Sequence, residues 1–167
     1  MDKNQAVIDF LLTCPIISSN PLFFNFINAK DKSKQIIPIA TDTSINEKYI
    51  DGSVLRRYTF TIMDYCSISY NPVPKNITIP ETTTTTDYVS ENVADLKMVQ
   101  DIVDWIKEKA DNREYPDFGT DCEIDEMSTT TDIPNLNGVD TQVAPVLAKY
   151  SITIQINYLD TSKMYWK

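Results

Sequence analysis

The acidic stretch NREYPDFGTDCEIDEM, residues 112–127, is the part of this chain that comes closest to a set of chemically active residues. Neighbouring carboxylates bind hard cations and serve in general acid–base catalysis. A calcium loop of the helix–loop–helix type requires Gly at its sixth position. Gly119 is misplaced for such a loop, whether the loop starts at Asp111 or at Asp117. The spacing therefore predicts neither a metal site nor a catalytic carboxylate pair.

The same acids are instead expected to form a solvated surface. In the segment DCEIDEM they alternate with Cys122, Ile124 and Glu126, which predicts a short strand with acids on its outward face. The candidate acidic face consists of Asp117, Asp121, Glu123 and Asp125.

Other catalytic arrangements lack their residues in this sequence. The chain has no His, which is the usual general base and a common metal ligand. Its three Gly stand in separate turns, so no Gly-rich phosphate loop is present, and no G-x-S-x-G motif occurs. Arg56 and Arg57 are adjacent in a predicted strand and point to opposite faces, which does not favour a phosphate site. The sequence predicts a protein that is not an enzyme and needs no cofactor or metal.

Charge and cysteine usage indicate where such a protein works. The formal net charge is −9: residues 87–126 hold thirteen acids and four bases, and the rest of the chain holds eleven of each. By Coulomb repulsion, this acidic region should avoid a nucleic-acid backbone. The three Cys lack a CxxC pair, a pattern typical of buried thiols in a reducing compartment. No stretch approaches the roughly 20 apolar residues of a membrane span, so we expect a cytoplasmic product without membrane contact.

The elements that position these residues follow from hydrophobic periodicity. Segments 54–70 and 150–159 alternate apolar and polar residues, which predicts long strands with one packed face. From Ser90 to Ala110, apolar residues recur every three or four positions, which predicts a long helix. The other predicted elements are a short N-terminal helix, a hairpin of strands 21–29 and 35–41, and the short acidic strand.

Together these elements predict an α+β two-layer sandwich. Its sheet is antiparallel or mixed, with about four or five strands, and the short N-terminal helix and the long helix pack on one face. Pro38 cannot donate a ladder hydrogen bond, so its strand is expected at an edge or a bulge. Residues 1–159 form a single domain in this prediction, and residues 160–167 form a C-terminal tail.

Aromatic residues supply a candidate subunit interface. Tyr115 and Phe118 lie in the turn after the long helix, and Tyr165 and Trp166 lie in the tail. The tail aromatics either pack back on their own domain or dock on a neighbouring subunit, where Tyr and Trp are common anchors. The sequence leaves both arrangements open.

Three segments, in the order given by these elements, carry a resemblance. They are the Trp105 helix leading to Tyr115–Pro116, the segment GVDTQVAPVLAKY, and the closing strand ITIQINY. In these features the chain resembles the tail terminator proteins of tailed bacteriophages, also called tail completion or minor capsid proteins, especially those of phages of Gram-positive hosts. The likeness extends from Met1 to Tyr158, and none of its motifs is chemically specific.

The resemblance implies a structural virion protein of α+β sandwich fold. Proteins of this family form a hexameric ring on the end of the tail tube, stop tube elongation and provide the head–tail joining surface. The implied partners are further copies of the chain, the tail tube protein, the head connector or neck protein, and the sheath protein where the tail is contractile. DNA passes through the lumen without specific binding, and the implied location is the neck end of the virion tail.

Two other functions stay open at this point. An acidic inhibitor that mimics DNA, of the anti-restriction type, would need charge in phosphate-like spacing over one face, and region 87–126 is compatible with this. Another virion joining protein, such as a head–tail adaptor or a baseplate component, also fits. The sequence does not distinguish a contractile from a non-contractile tail or a phage-derived bacteriocin, and it does not show whether region 87–126 lines the lumen.

Overall fold

The computed structural model of the chain describes residues 2–25, 31–39, 45–67, 86–143 and 146–165. Within these ranges the helices are α1 (Lys3–Leu11), α2 (Pro15–Ser18) and α3 (Thr86–Asp111). The strands are β1 (Leu22–Phe24), β2 (Lys34–Ile39), β3 (Ile45–Lys48), β4 (Val54–Ser67), β5 (Cys122–Thr129), β6 (Asn135–Asp140) and β7 (Leu147–Asp160). The seven strands belong to one mixed sheet, so the predicted α+β class is confirmed.

The two longest strands form the centre of the sheet. β4 and β7 run antiparallel and stay in register from Val54 opposite Asp160 to Ser67 opposite Leu147. On its outer side, β4 pairs with β2 along one part of its length and with β3 along another. β7 pairs in the same manner with β5 and β6, and β1 adds a parallel pair beyond β2.

Even-numbered residues of the central strands form the packed face, as their alternation predicts. Ile152, Ile154 and Ile156 have no exposed surface, and they belong to one apolar cluster with Phe60 and Ile62 of β4. Successive strand residues point to opposite faces, so one face can be buried while the other stays polar. Complete burial of one such side chain contributes about 1.5–3 kcal/mol. The helices contribute to the same cluster through Ala6, Val7, Leu11, Ile17, Val99, Ile102, Val103 and Ile106.

The helices agree with the sequence patterns in type and approximate length. α1 is capped by Asp2, whose side chain accepts from the N–H of Asn4 at 2.9 Å, and it ends before Pro15. α3 begins one turn earlier than the predicted start at Ser90 and ends at Asp111. No helix in the described ranges is long and apolar enough to cross a membrane.

The predicted count of about four or five strands was wrong, because the two short strands β3 and β6 were missed. β6 contains the pair Asn137–Gly138, which is typical of a turn, and its apolar residues Leu136 and Val139 are exposed. β3 has only one apolar residue in its sequence, and β6 has no buried residue. Pairing with a long neighbour, which no local pattern reveals, makes each of them a strand.

The predicted hairpin of strands 21–29 and 35–41 was also wrong. β1 covers only Leu22–Phe24 and runs parallel to β2, with Leu22 opposite Lys34. A tight turn joins antiparallel strands only, so β1 and β2 cannot be the two arms of a hairpin. Pro38 lies beyond the part of β2 that pairs with β1, which agrees with the edge position predicted for it.

One ion pair is buried within the sheet. Lys34 of β2 lies opposite Asp64 of β4, and their Nζ and Oδ1 atoms are 3.2 Å apart with side chains 0% and 1% exposed. Burial raises the pKa of Asp64, because desolvation outweighs the opposing attraction of the Lys34 ammonium. Loss of either charge alone is therefore expected to destabilise the fold.

Candidate assembly surfaces

The outer edge of β6 is exposed in the part of the chain that the structure describes. β6 pairs with β7 on one side, and no described strand pairs with its other side. Ile133, Leu136 and Val139 are 68%, 55% and 47% exposed. These three residues are called the β6 patch. An open strand edge with apolar side chains readily accepts a further chain.

The turn between β3 and β4 carries a second exposed apolar group. Ile50 is fully exposed and Tyr49 is 41% exposed. Tyr165 of the tail lies against the same turn, since its N–H donates to the carbonyl oxygen of Asp51 at 3.0 Å, and it is 72% exposed. Tyr49, Ile50 and Tyr165 are called the turn patch.

The backbone of the tail packs on its own chain. β7 includes Asp160, so the tail begins one residue later than predicted, and the N–H of Thr161 donates to the carbonyl oxygen of Asp121 at 2.8 Å. Gly52 makes the close approach possible: its φ is +91°, and an added Cβ would lie 2.5 Å from the carbonyl oxygen of Lys163. Trp166, a candidate interface residue, lies outside the described residues.

A cavity beside the turn patch is lined by cationic side chains. Its volume is about 260 Å³, and its lining includes Lys48, Gly52, Arg56, Lys163 and Tyr165. Asp160 neutralises the guanidinium of this lining, since its Oδ2 lies 2.8 Å from the Nε of Arg56. The two lysines are exposed and form no ion pair within the described ranges.

Tyr115 lies in a different position from the other candidate interface residues. It is half-buried and lines a cleft of about 350 Å³ together with Tyr49 and Arg113. Arg113 follows α3 with a φ of 57°, and its N–H donates to the carbonyl oxygen of Ala110 at 3.0 Å, which turns the chain toward β5. The cleft places Tyr115 within reach of the turn patch.

Phe118 belongs to the core of its own chain. Its side chain is 4% exposed and packs edge-on against Tyr58 and Tyr158, with ring centroids 5.9 Å and 5.3 Å apart. The ammonium of Lys3 lies 5.9 Å from the centre of the Phe118 ring. Because it is buried, Phe118 has almost no surface that a neighbouring subunit could contact. We therefore remove it from the candidate interface residues.

The four residues of the candidate acidic face are exposed but do not share one strand face. Asp117 lies in the loop before β5, where its Oδ1 accepts from the N–H of Gly119 at 2.8 Å, and Asp121 also precedes β5.

The alternation expected within β5 is interrupted by a bulge. Ile124 pairs with Tyr158 while Glu126 pairs with Asn157, so Asp125 is an extra residue between them. Glu126 therefore takes an outward position and accepts from the Nδ2 of Asn157 at 3.2 Å. The predicted alternation agrees with the exposure of Asp121, Glu123 and Asp125, but it was wrong for Glu126, which the bulge moves to the outer face.

A more continuous acidic surface lies on α3. Asp101, Asp104, Glu108 and Asp111 are exposed and follow one another at steps of three or four residues. Side chains at such steps lie on one side of a helix. These four residues are called the α3 stripe. Sequence analysis counted its acids within region 87–126 but did not separate them, although their spacing was visible.

The odd-numbered residues of the central strands form a polar sheet face. The hydroxyl groups of Thr61 and Thr153 are 3.0 Å apart, and the Nε of Arg57 donates to the Oδ1 of Asn157 at 3.0 Å. Cross-strand pairs of this kind stabilise the sheet. The face offers hydroxyl and amide groups and few charges.

Within the described ranges, no group of three or more Cys, Asp or Glu side chains is arranged to hold a metal ion. Compared with known proteins, the chain matches no protein-family model and no curated protein.

Proposed function

We propose that this chain is a structural virion protein that forms a ring and acts as a tail terminator. Two facts support the proposal: the resemblance to tail terminator proteins in element order and segment sequence, and the presence of two different exposed apolar patches on one sheet. The proposed role is to cap the tail tube, end its elongation and present the head–tail joining surface. It requires no catalysis and no cofactor.

The observation that carries the proposal is the position of the β6 patch relative to the turn patch. β6 pairs with β7 near Leu147, whereas β3 pairs with β4 near Val54, which lies opposite the other end of β7. The patches therefore lie on opposite edges of the sheet and toward opposite ends of its central strands. A contact between two different patches on successive copies is heterologous, and such contacts form rings when the rotation closes.

The finer fold belongs to the same proposal. The helices and the sheet form a two-layer sandwich, with the helices on the even-numbered side, because that side carries the cluster they share. The polar face is then free to border the lumen of the ring. Tight binding of DNA depends on Lys and Arg that neutralise phosphates, and the hydroxyl and amide groups of this face supply little such charge. DNA can thus pass without specific binding.

The proposed partners are the tail tube protein and the head connector or neck protein, which contact the two ends of the ring. The sheath protein is a further partner where the tail is contractile. The proposed location is the neck end of the virion tail. Tyr165 extends the turn patch, so the tail acts in the contact between neighbouring subunits while its backbone stays fixed to its own chain.

Negative-stain electron microscopy and mass photometry, with and without tail tube, test the proposal. Wild-type protein is expected to form hexameric rings, at least when tube is present. Val139→Asp places a charge in the β6 patch and is expected to prevent ring formation, whereas Asn135→Asp adds the same charge at an exposed polar position of β6. A protein that stays monomeric with tube and binds a nuclease or restriction subunit would refute the ring.

The α3 stripe favours one second candidate, an acidic DNA mimic. From Asp101 to Asp111 the helix rises about 15 Å. A DNA duplex of that length carries about nine phosphate charges, at one per roughly 1.7 Å, whereas the stripe carries four carboxylates. Its charge density is less than half that of DNA, so the mimic ranks second. Tight, salt-dependent binding to a DNA-binding enzyme would reverse this order.

A further inference from the structure

The two lysines of the cationic cavity have no acidic partner within the described part of the chain. Glu47 and Asp51 lie close by in sequence, but Glu47 accepts from the Tyr49 hydroxyl and Asp51 accepts from the N–H and Oγ of Ser53. Neither forms an ion pair with Lys48 or Lys163 in the described structure. Two unpaired ammonium groups thus border a cavity on a chain whose net charge is −9.

The shape of the cavity indicates what it can accept. Its volume of about 260 Å³ is lined by the two lysines and by Gly52, whose backbone packs closely against the carbonyl oxygen of Lys163. The exposed ring of Tyr165 borders the same space. A carboxylate entering it would meet two ammonium groups, and the stem of its side chain would contact the aromatic ring. The site therefore suits Asp or Glu side chains presented by a protein surface.

The α3 stripe presents such side chains. The carboxylates of Asp101, Glu108 and Asp111 have no hydrogen bond or ion pair within the described structure, and that of Asp104 accepts only a hydrogen bond from Gln100 at 3.0 Å. No residue of the stripe lines the cavity. Their charges are complementary, so the stripe of one copy can enter the cavity of the next.

We propose that the cationic cavity of one subunit binds the α3 stripe of a second copy of the chain. This inference rests on the proposed ring and names the polar contact that accompanies the apolar patches. Because cavity and stripe differ, the contact is heterologous, as a ring requires. Between exposed charges it acts mainly on the specificity and the rate of association, and it weakens as salt increases.

Two charge-reversed variants and their mixture test the contact. The cavity variant carries Lys48→Glu and Lys163→Glu, and the stripe variant carries Asp104→Lys and Glu108→Lys. Each variant alone places like charges together, so its self-association at low salt is expected to weaken by at least about tenfold, as measured by mass photometry. Mixed in equal amounts, the variants restore every contact with opposite charges in an alternating ring, so assembly should return.

A control variant with Lys32→Glu reverses the charge of an exposed lysine that lies outside both the cavity and the α3 stripe, and it is matched in net charge to Lys48→Glu alone. It is expected to assemble like wild type, and thermal melting verifies that all variants fold. If the cavity and stripe variants assemble as the control does, or if their mixture fails to assemble, the contact is refuted while a wild-type ring still stands. Wild-type protein that never assembles, even on tail tube, refutes both proposals together.

Discussion

Removing one partner of the buried Lys34–Asp64 pair is expected to destabilise the protein strongly, whereas replacing both partners is not. The pair connects β2 to β4 at a fully buried position. Asp64→Leu leaves an uncompensated ammonium in the core, and Lys34→Met leaves an uncompensated carboxylate. The double variant leaves neither charge and puts apolar side chains of similar size in their place.

The expected magnitudes follow from the burial of the pair. Each single substitution should reduce the free energy of unfolding by about 3–5 kcal/mol, because a lone buried charge is costly. For a chain of this length, about 2–4 °C of melting temperature corresponds to each kcal/mol, so the midpoint should fall by about 6–20 °C. The double variant should lie within about 1 kcal/mol of wild type, or above it.

Acid should affect the two single variants differently. Burial raises the folded pKa of Asp64 above its ordinary value, so its protonated form favours the folded state, and this contribution is lost as pH rises through the folded pKa. In Lys34→Met, the deficit relative to wild type should therefore shrink as pH falls, because a neutral carboxyl group needs no cation. In Asp64→Leu, no carboxyl group remains at the site, so acid should not reduce the deficit in this way.

Urea denaturation of the four proteins as a double-mutant cycle measures these effects, with Lys107→Met as the matched control. Lys107 pairs with Asp132 at the surface, where the side chains are 41% and 89% exposed, so its replacement should cost less than about 1 kcal/mol. Single variants of the buried pair that cost no more than this control would refute the argument. A coupling energy near zero between positions 34 and 64 would refute it equally.

Three smaller predictions use the same kind of contrast. Gly52→Ala should lower the free energy of unfolding by more than about 1 kcal/mol, and by more than Gly138→Ala does. Both positions have positive φ, but only at Gly52 would the added Cβ lie 2.5 Å from a backbone oxygen. Equal losses in urea denaturation would contradict this. A thiol reagent at neutral pH should modify half-buried Cys122 before Cys66, whose pKa burial raises to about 12, as mass spectrometry of partially labelled protein can verify. Burial raises the pKa of Tyr58 from 10.0 to about 12, so stability should fall between these pH values, and Tyr58→Phe should lessen that fall in alkaline melting curves.

The long elements could be predicted because their burial is encoded locally. In β7 apolar and polar residues alternate around Ile152, Ile154 and Ile156. This pattern indicates which face is packed, whichever strand lies beside it. The apolar residues of α3 that lie in the core were likewise predictable, because they recur every three or four positions. These patterns do not depend on knowledge of the partner element, so one sequence was sufficient.

The short strands needed information that lies elsewhere in the chain. β3 and β6 are strands because they pair with β4 and β7, and their short sequences show no regular alternation of apolar and polar residues. One local signal did exist for β3: the pair Asp51–Gly52, which favours a hairpin turn, lies between β3 and β4. No comparable signal marks the parallel pairing of β1 with β2.

The acidic segment 112–127 shows how one residue changes a functional prediction. Regular alternation predicted Glu126 on the inner face, but the bulge at Asp125 shifts the register, so Glu123 and Glu126 lie opposite Leu159 and Asn157 on the polar face. Asp117 and Asp121 precede the strand, so the four predicted acids do not form one strand face. On α3, four carboxylates follow one another along one side, so we expect the helix to make the larger electrostatic contribution to the proposed assembly. Charge reversal on α3 should consequently disturb assembly more than the same reversal at Glu123 and Asp125.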